Sequence, residues 1–287
     1  NEWPLELSLW VEAAEEADRL GVDVLNTSLG YTEFDNPNYN FTYEDMNGTT
    51  AFISKGVDMA FSRGMISVNS AGNSGNDDWQ YISAPADAVH ALTIGAVNAA
   101  GNYATFSSQG PSFDGRVKPD VVAQGQQAVF SNTNGNITTG NGTSFSGPIM
   151  AGMVACLWQA LPTKTNAEIV QLIKESAHLF ATPNEELGYG IPDFNLALNT
   201  ALLTTESASK NKFSIFPNPA KESITVAFPS GFDSADVSIY NTLGQLVLQR
   251  KVSNQNATFT VNEINSGMYL YTIQTQNYSQ SGKISKQ

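Results

Sequence analysis

The chain has 287 residues, 41% of them hydrophobic and 14% charged, a composition that can fill a buried core and excludes the disordered class. Its formal net charge of −13 excludes nucleic acid as a partner, because phosphate backbones are held by clustered Lys and Arg. A single cysteine, Cys156, rules out an intrachain disulfide and a thiolate metal cluster, and no run of about 18 apolar residues is present to span a membrane as a helix.

In chain order, Leu5, Leu9, Ala13, Ala17 and Leu20 recur at helical spacing and Gly21 follows as a stop, which predicts a helix over 5–20. Val22–Leu29 reads as a buried strand. The polar excursion Tyr31–Asp45 follows, with Tyr31, Phe34, Tyr39, Phe41 and Tyr43 either bordering a cleft or packing on one another. A helix over 48–63, stopped by Gly64, leads into a strand at Met65–Asn69. Leu92–Val97 and Val121–Ala123 read as further strands, and helices are expected over 145–160, 166–178 and 194–203. Cys156 falls in the apolar run Met150–Leu161 and is expected in the core. Alternating strands and helices argue for a parallel sheet covered by helices.

Thr204–Lys212 is polar and without periodicity, as a linker would be. It coincides with a change of charge. Residues 1–209 hold 7 Lys/Arg against 23 Asp/Glu, and residues 210–287 hold 7 against 4. The expected organisation is therefore an α/β domain over 1–203, a linker over 204–212 and a second domain over 213–287. In the second domain Ser223–Phe228, Asp236–Tyr240, Gln245–Leu248, Ala257–Val261 and Met268–Ile273 are short strand-like runs separated by Asn, Gly, Ser and Pro, which suggests a small antiparallel sandwich.

Parallel sheets place their sites beyond the carboxyl ends of the strands. Ser28-Leu29-Gly30 follows the first strand of this chain and Ser70-Ala71-Gly72-Asn73 follows the second. Gly142-Thr143-Ser144-Phe145-Ser146-Gly147-Pro148 leads into the apolar helix. Taken singly, Ser144 reads as a helix N-cap and Asn73 as a turn residue.

Together these segments resemble the subtilisin-like serine proteases. Ser70–Asn73 is similar to the family's oxyanion-hole segment and Gly142–Pro148 to its nucleophile signature. Between them, Phe106–Pro111 and Lys118–Ala123 resemble two further landmarks in the family's order. The resemblance covers about residues 5–203 and implies a partial subtilisin-like parallel sheet flanked by helices. It makes Ser144 the nucleophile and Asn73 the oxyanion donor. Ser28, Leu29, Gly30, Ser70, Ala71 and Gly72 become the lining of a cleft for a polypeptide substrate. No cofactor is required for that chemistry, and no ligand set for a structural calcium ion is legible.

The family's Asp-Thr/Ser-Gly and His-Gly-Thr segments do not occur in this sequence. His90 and His178 stand in other contexts and are read as structural. The triad aspartate and histidine are expected on an upstream segment or chain of the same protein, in keeping with a first residue that is not Met and a start that lacks a signal peptide. Two alternatives stay open. An α/β-hydrolase would need Gly-X-Ser-X-Gly, but the fifth position of this motif is Ser146. A binding or adhesion protein retaining the protease fold would need no triad.

In the second domain, Phe216-Pro217-Asn218-Pro219-Ala220, Asn241-Thr242-Leu243-Gly244 and Ser266-Gly267-Met268-Tyr269 resemble the C-terminal sorting domain of proteins exported by the type IX system of Bacteroidetes. That resemblance implies export machinery as the partner of residues 213–287. The expected destination is the cell surface or the medium.

Overall fold

The computed structural model describes residues 2–210, 212–275 and 278–287, and the chain divides between Ala201 and Leu202 into two compact units. The first unit begins with α1 (Leu5–Leu20), which ends where Gly21 turns left-handed at φ 76° and donates its N–H to Ala17 and Asp18. Next come β1 (Val24–Thr27), α2 (Phe52–Ser62), β2 (Ile66–Ser70), β3 (Leu92–Val97) and β4 (Val121–Gln124). These strands form one parallel sheet in the order β1-β2-β3-β4, with Thr27 beside Asn69 and Ser70 beside Ile94. A hairpin of β5 (Ala128–Ser131) and β6 (Ile137–Gly140) precedes α3 (Thr143–Ala160), α4 (Asn166–Glu175) and α5 (Phe194–Lys210), the last of which runs past the division at Ala201.

Alternation along the strands sorts the two faces of the sheet. Ile66, Val68, Leu92, Ile94, Val121 and Ala123 pack under Met150, Val154 and Leu157 of α3, with Ile169 and Ile173 of α4 and Ala197 and Ala201 of α5. α1 and α2 pack on each other, and Leu7, Tyr31, Phe34, Met46 and Ile53 form a second cluster with Phe41 and Tyr43 at its margin. The aromatic excursion thus packs both on itself and against α1 and α2.

One buried charge network pins β4. Lys118 Nζ, 2% exposed, donates to Ala91 O (2.8 Å), Thr93 Oγ1 (3.0 Å) and Asp120 Oδ2 (2.7 Å). Asp120 also accepts from the Thr93 N–H and pairs with Lys174. Burial opposes the charge on Asp120, but the two ammonium groups outweigh it and bring its pKa down to about 2.

Two expectations are corrected. Cys156 is exposed, because α3 is apolar around its whole circumference while only one face meets the sheet. Ile149 (47% exposed) and Met153 (40% exposed) are likewise open to solvent, and among the described residues β1 has a neighbour on one side only. In addition, α5 runs on to Lys210, so the stretch expected as a linker is helical backbone up to that residue, and residue 211 lies outside the described residues.

The second unit holds two antiparallel sheets. β7 (Ser214–Phe216), β8 (Ser223–Ala227) and β11 (Thr258–Thr260) form one in the order β11-β8-β7. β9 (Ser234–Tyr240), β10 (Leu246–Ser253), β12 (Gly267–Gln274) and β13 (Ser279–Lys286) form the other in the order β10-β9-β12-β13. Ile224 of the first sheet packs with Ile239, Leu248, Tyr269 and Ile284 of the second, the arrangement of a sandwich core. Among the described residues, no helix is long and apolar enough to cross a membrane.

Candidate active site

Parallel pairing of β1 with β2 puts the residues after each strand side by side, and α3 starts across their ends. A cavity of about 170 Å³ opens there, lined by Ser28, Leu29, Gly30, Thr32, Ser70, Gly72, Asn73, Ser74, Ser83, Thr143 and Ser144. Segments more than 100 residues apart in sequence are thereby brought together. Ala71 lies beneath the cavity, fully buried, donating to Ile94 O and accepting from the Ser83 N–H.

Ser144 caps nothing. The N-cap of α3 is Gly142, at φ 150° and ψ 150°, and Ser144 is the second helical residue, with its Oγ 3.5 Å from Ser28 O. First-turn N–H groups of a helix have no intrahelical acceptor, so the Ser144 N–H stays free of the helix ladder at its positive end. Pro148 has no N–H with which to bond the Ser144 carbonyl four residues earlier. Ser28 Oγ takes that place, donating to Ser144 O at 3.3 Å. Gly147 lets the helix approach the strand ends, since a Cβ there would stand 3.2 Å from both Asn26 Oδ1 and Ser70 Oγ.

Asn73 is not a left-handed turn residue, because the non-glycine residues with positive φ are Gln80 and Gln127. Its Oδ1 accepts from the Thr143 N–H (2.8 Å) and from Thr143 Oγ1 (3.1 Å). Among the described residues nothing accepts from Asn73 Nδ2. Thr143 also ties Ser70 to the helix, through Ser70 Oγ donating to Thr143 O at 2.9 Å. A Cβ on Gly142 would make only ordinary contacts, 3.7 Å from Asn73 Oδ1 and from Ser144 N, so it is the φ of 150° rather than lack of space that favours glycine there.

Gly30 faces the other wall. A Cβ there would come within 2.1 Å of Ser83 Oγ, and among the described residues its backbone N–H and C=O have no partner. The Gly72 backbone is already engaged by Ser108 and Thr143.

His90 lies against Asp58 Oδ1 (3.0 Å) and stacks on Phe61. His178 Nδ1 accepts from the Ile191 N–H. Neither lines the cavity. Among the described residues no three His, Cys, Asp or Glu side chains gather as a metal group would.

No sequence motif by itself gives Ser83 a role in the cavity, and Thr143 joins it through its neighbour Asn73. Thr143 sits inside the Gly-Thr-Ser motif, whereas Ser83 arrives by a tertiary contact with no local signal.

The Subtilase family model (Peptidase S8) matches residues 4–190, and the model described as a secretion system C-terminal sorting domain matches residues 214–287. Subtilisin DY of Bacillus licheniformis is 30% identical over 168 residues, covering 58% of this chain and 54% of its own length. Serine protease AprX of Bacillus subtilis is 31% identical over 174 residues, covering 53% and 37%. The chain thus spans about half or less of the length of these curated relatives. Among solved structures, the self-cleaved protease domain of PatA superposes with a TM-score of 0.52 at 23% identity, covering 69% of this chain and 68% of that one. MycP1 from Mycobacterium smegmatis superposes with a TM-score of 0.51 at 22% identity, covering 67% and 54%. A sorting domain of this kind directs a protein through type IX secretion to the cell surface or beyond. Through its first unit, the chain belongs to the subtilase family.

Proposed function

We propose that this chain is the nucleophile-bearing part of a secreted serine endopeptidase, with Ser144 as the attacking group and Asn73 as oxyanion donor. The observation that supports the reading is the shared cavity, lined by Ser144, Asn73 and Gly30 together, with the Asn73 Nδ2 and the Gly30 backbone unpartnered among the described residues. An extended polypeptide would pair with the Ser28–Gly30 edge by main-chain hydrogen bonds.

In this mechanism Ser144 Oγ attacks the scissile carbonyl carbon while a histidine from outside the chain takes the hydroxyl proton. The carbonyl oxygen becomes an oxyanion facing Asn73 Nδ2 and the Ser144 N–H. Collapse breaks the C–N bond and the histidine returns the proton to the leaving amine. Water then hydrolyses the acyl ester by the same steps in reverse. The histidine and its orienting aspartate would come with an upstream segment. The unpaired edge of β1 and the open apolar face of α3 support such a segment as their cover. Without it the chain hydrolyses no peptide at an enzymatic rate.

With that segment restored, a fluorophosphonate probe labels Ser144. Equal labelling of Ser144→Ala would overturn the nucleophile assignment, and no labelling of the wild type would favour a binding protein that keeps the fold. Asn73→Ala lowers kcat about 10²- to 10³-fold with little change in KM, on the scale established for subtilisin's own oxyanion asparagine; steady-state kinetics on a peptide substrate read this directly. Deleting residues 213–287 traps the protein inside the cell while the purified enzyme still cleaves peptides. Cell fractionation and a peptidase assay report the two halves of that expectation separately.

A further inference from the structure

The three segments that carry the resemblance of the second unit to sorting domains lie far apart in sequence, and the fold gathers them at one end of the four-stranded sheet. Asn218 bonds the free edge of β13 twice, donating to Lys283 O (3.1 Å) and accepting from the Ser285 N–H (2.9 Å). Lys283 and Ser285 pair with Leu270 and Met268 of β12, and Leu270 pairs with Tyr240 of β9. Tyr240 in turn pairs with Leu246 of β10, across the turn that holds Asn241–Gly244.

Folding accounts for most of these residues. Asn241 Oδ1 accepts from the N–H groups of Leu243 and Gln245, both at 3.0 Å, and Gly244 sits at φ 81°, so the Asn and Gly shape the turn. Tyr269 is 9% exposed and its hydroxyl donates to Asn265 O. Folding does not account for Leu243, 82% exposed at the tip of that rigid turn, or for Met268, 54% exposed. Directly opposed residues of neighbouring strands share a face. Leu246 (52% exposed), Tyr240, Leu270 (43% exposed) and Lys283 therefore form one row across the outer face of the sheet, with Met268 on the same face. An apolar patch bordered by lysine, on an otherwise polar surface, marks an interaction site.

We propose that this patch, Leu243, Leu246, Met268 and Leu270 bordered by Lys283, is the surface through which the export machinery takes hold of the protein. The partner presents an apolar recess for the leucines and a carboxylate for Lys283. The rigid turn delivers Leu243 without an ordering cost at binding. This inference stands on the sorting-domain assignment and is independent of the catalytic reading.

The test uses the full protein, upstream part included, in a bacterium that possesses type IX machinery, with exported and retained fractions measured by immunoblot. Leu243→Asp and the double variant Leu243→Asp/Leu270→Asp lower the exported fraction at least about tenfold, the loss typical of a buried anchor. Gln274→Asp, at the other end of β12 on the same face, leaves export unchanged. The thermal unfolding of purified Leu243→Asp matches the wild type, because so exposed a side chain has little packing to lose.

Normal export of both Leu243 variants would overturn the proposal, as would an equal loss in Gln274→Asp. A Leu243→Asp variant that is exported normally but shifts from dimer to monomer in sedimentation would overturn it in favour of self-association. If export survives deletion of residues 213–287, the sorting role itself fails, which is a different result from a silent patch.

Discussion

With the upstream segment in place, replacing Ser144 by alanine is expected to lower peptide turnover about 10⁶-fold, the scale set by removal of the nucleophile in subtilisin. The loss is this large because the covalent route disappears altogether. What remains, about 10³- to 10⁴-fold over water, comes from oxyanion stabilisation and substrate binding. The fold should be indifferent to the change, since Ser144 Oγ makes one long contact to Ser28 O at 3.5 Å. Single-turnover kinetics alongside a thermal melt separate the two: a collapse of turnover with unchanged unfolding is the expected pattern, and retention of turnover would remove Ser144 from the chemistry.

Asp120→Ala is expected to be the most damaging single change to the fold. It strands Lys118 and Lys174, of which Lys118 is 2% exposed, with no counter-charge. Breaking a buried pair from one side costs about 3–5 kcal/mol, which lowers the unfolding temperature by about 10 °C in a domain of this size. Glu16→Ala, which removes the partner of Arg19 in a solvent-exposed pair, should leave the melt unchanged. The same network predicts an acid limb. The carboxyl of Asp120 sits at about 2, below its ordinary 3.8. Its contribution is therefore complete above pH 4 and is lost as the pH falls toward 2. A melting curve followed over that interval should fall for the wild type, and this component should be missing from Asp120→Ala.

The sheet was legible because its central strands carry apolar residues at the alternate positions that face the helices, Ile66 and Val68 in β2 and Leu92 and Ile94 in β3. Leu92–Val97 was read to the residue, and β2 was displaced by one. The hairpin of β5 and β6 was not legible. Its strands are only four residues each, Ala-Val-Phe-Ser and Ile-Thr-Thr-Gly, and their pairing rather than their hydropathy defines them. β13 escaped for the same reason: Ser279–Lys286 is almost wholly polar and takes its place by completing the edge of β12. The site was legible where chemistry is local. Ser28, Gly30, Asn73 and Ser144 sit in short motifs, and the fold brings them to one cavity. Ser83 and the locking of Asn73 by Thr143 depend on chain crossings that no local pattern encodes.

The bond from the Thr143 N–H to the Asn73 side chain leaves that amide a single orientation. A half-turn would set NH₂ against the Thr143 N–H, donor against donor, and forfeit that bond. The dipole is therefore aligned in advance, and in the proposed reaction an anion forming in front of it would meet a field already in place, with no rotation needed while the bond to carbon is being made.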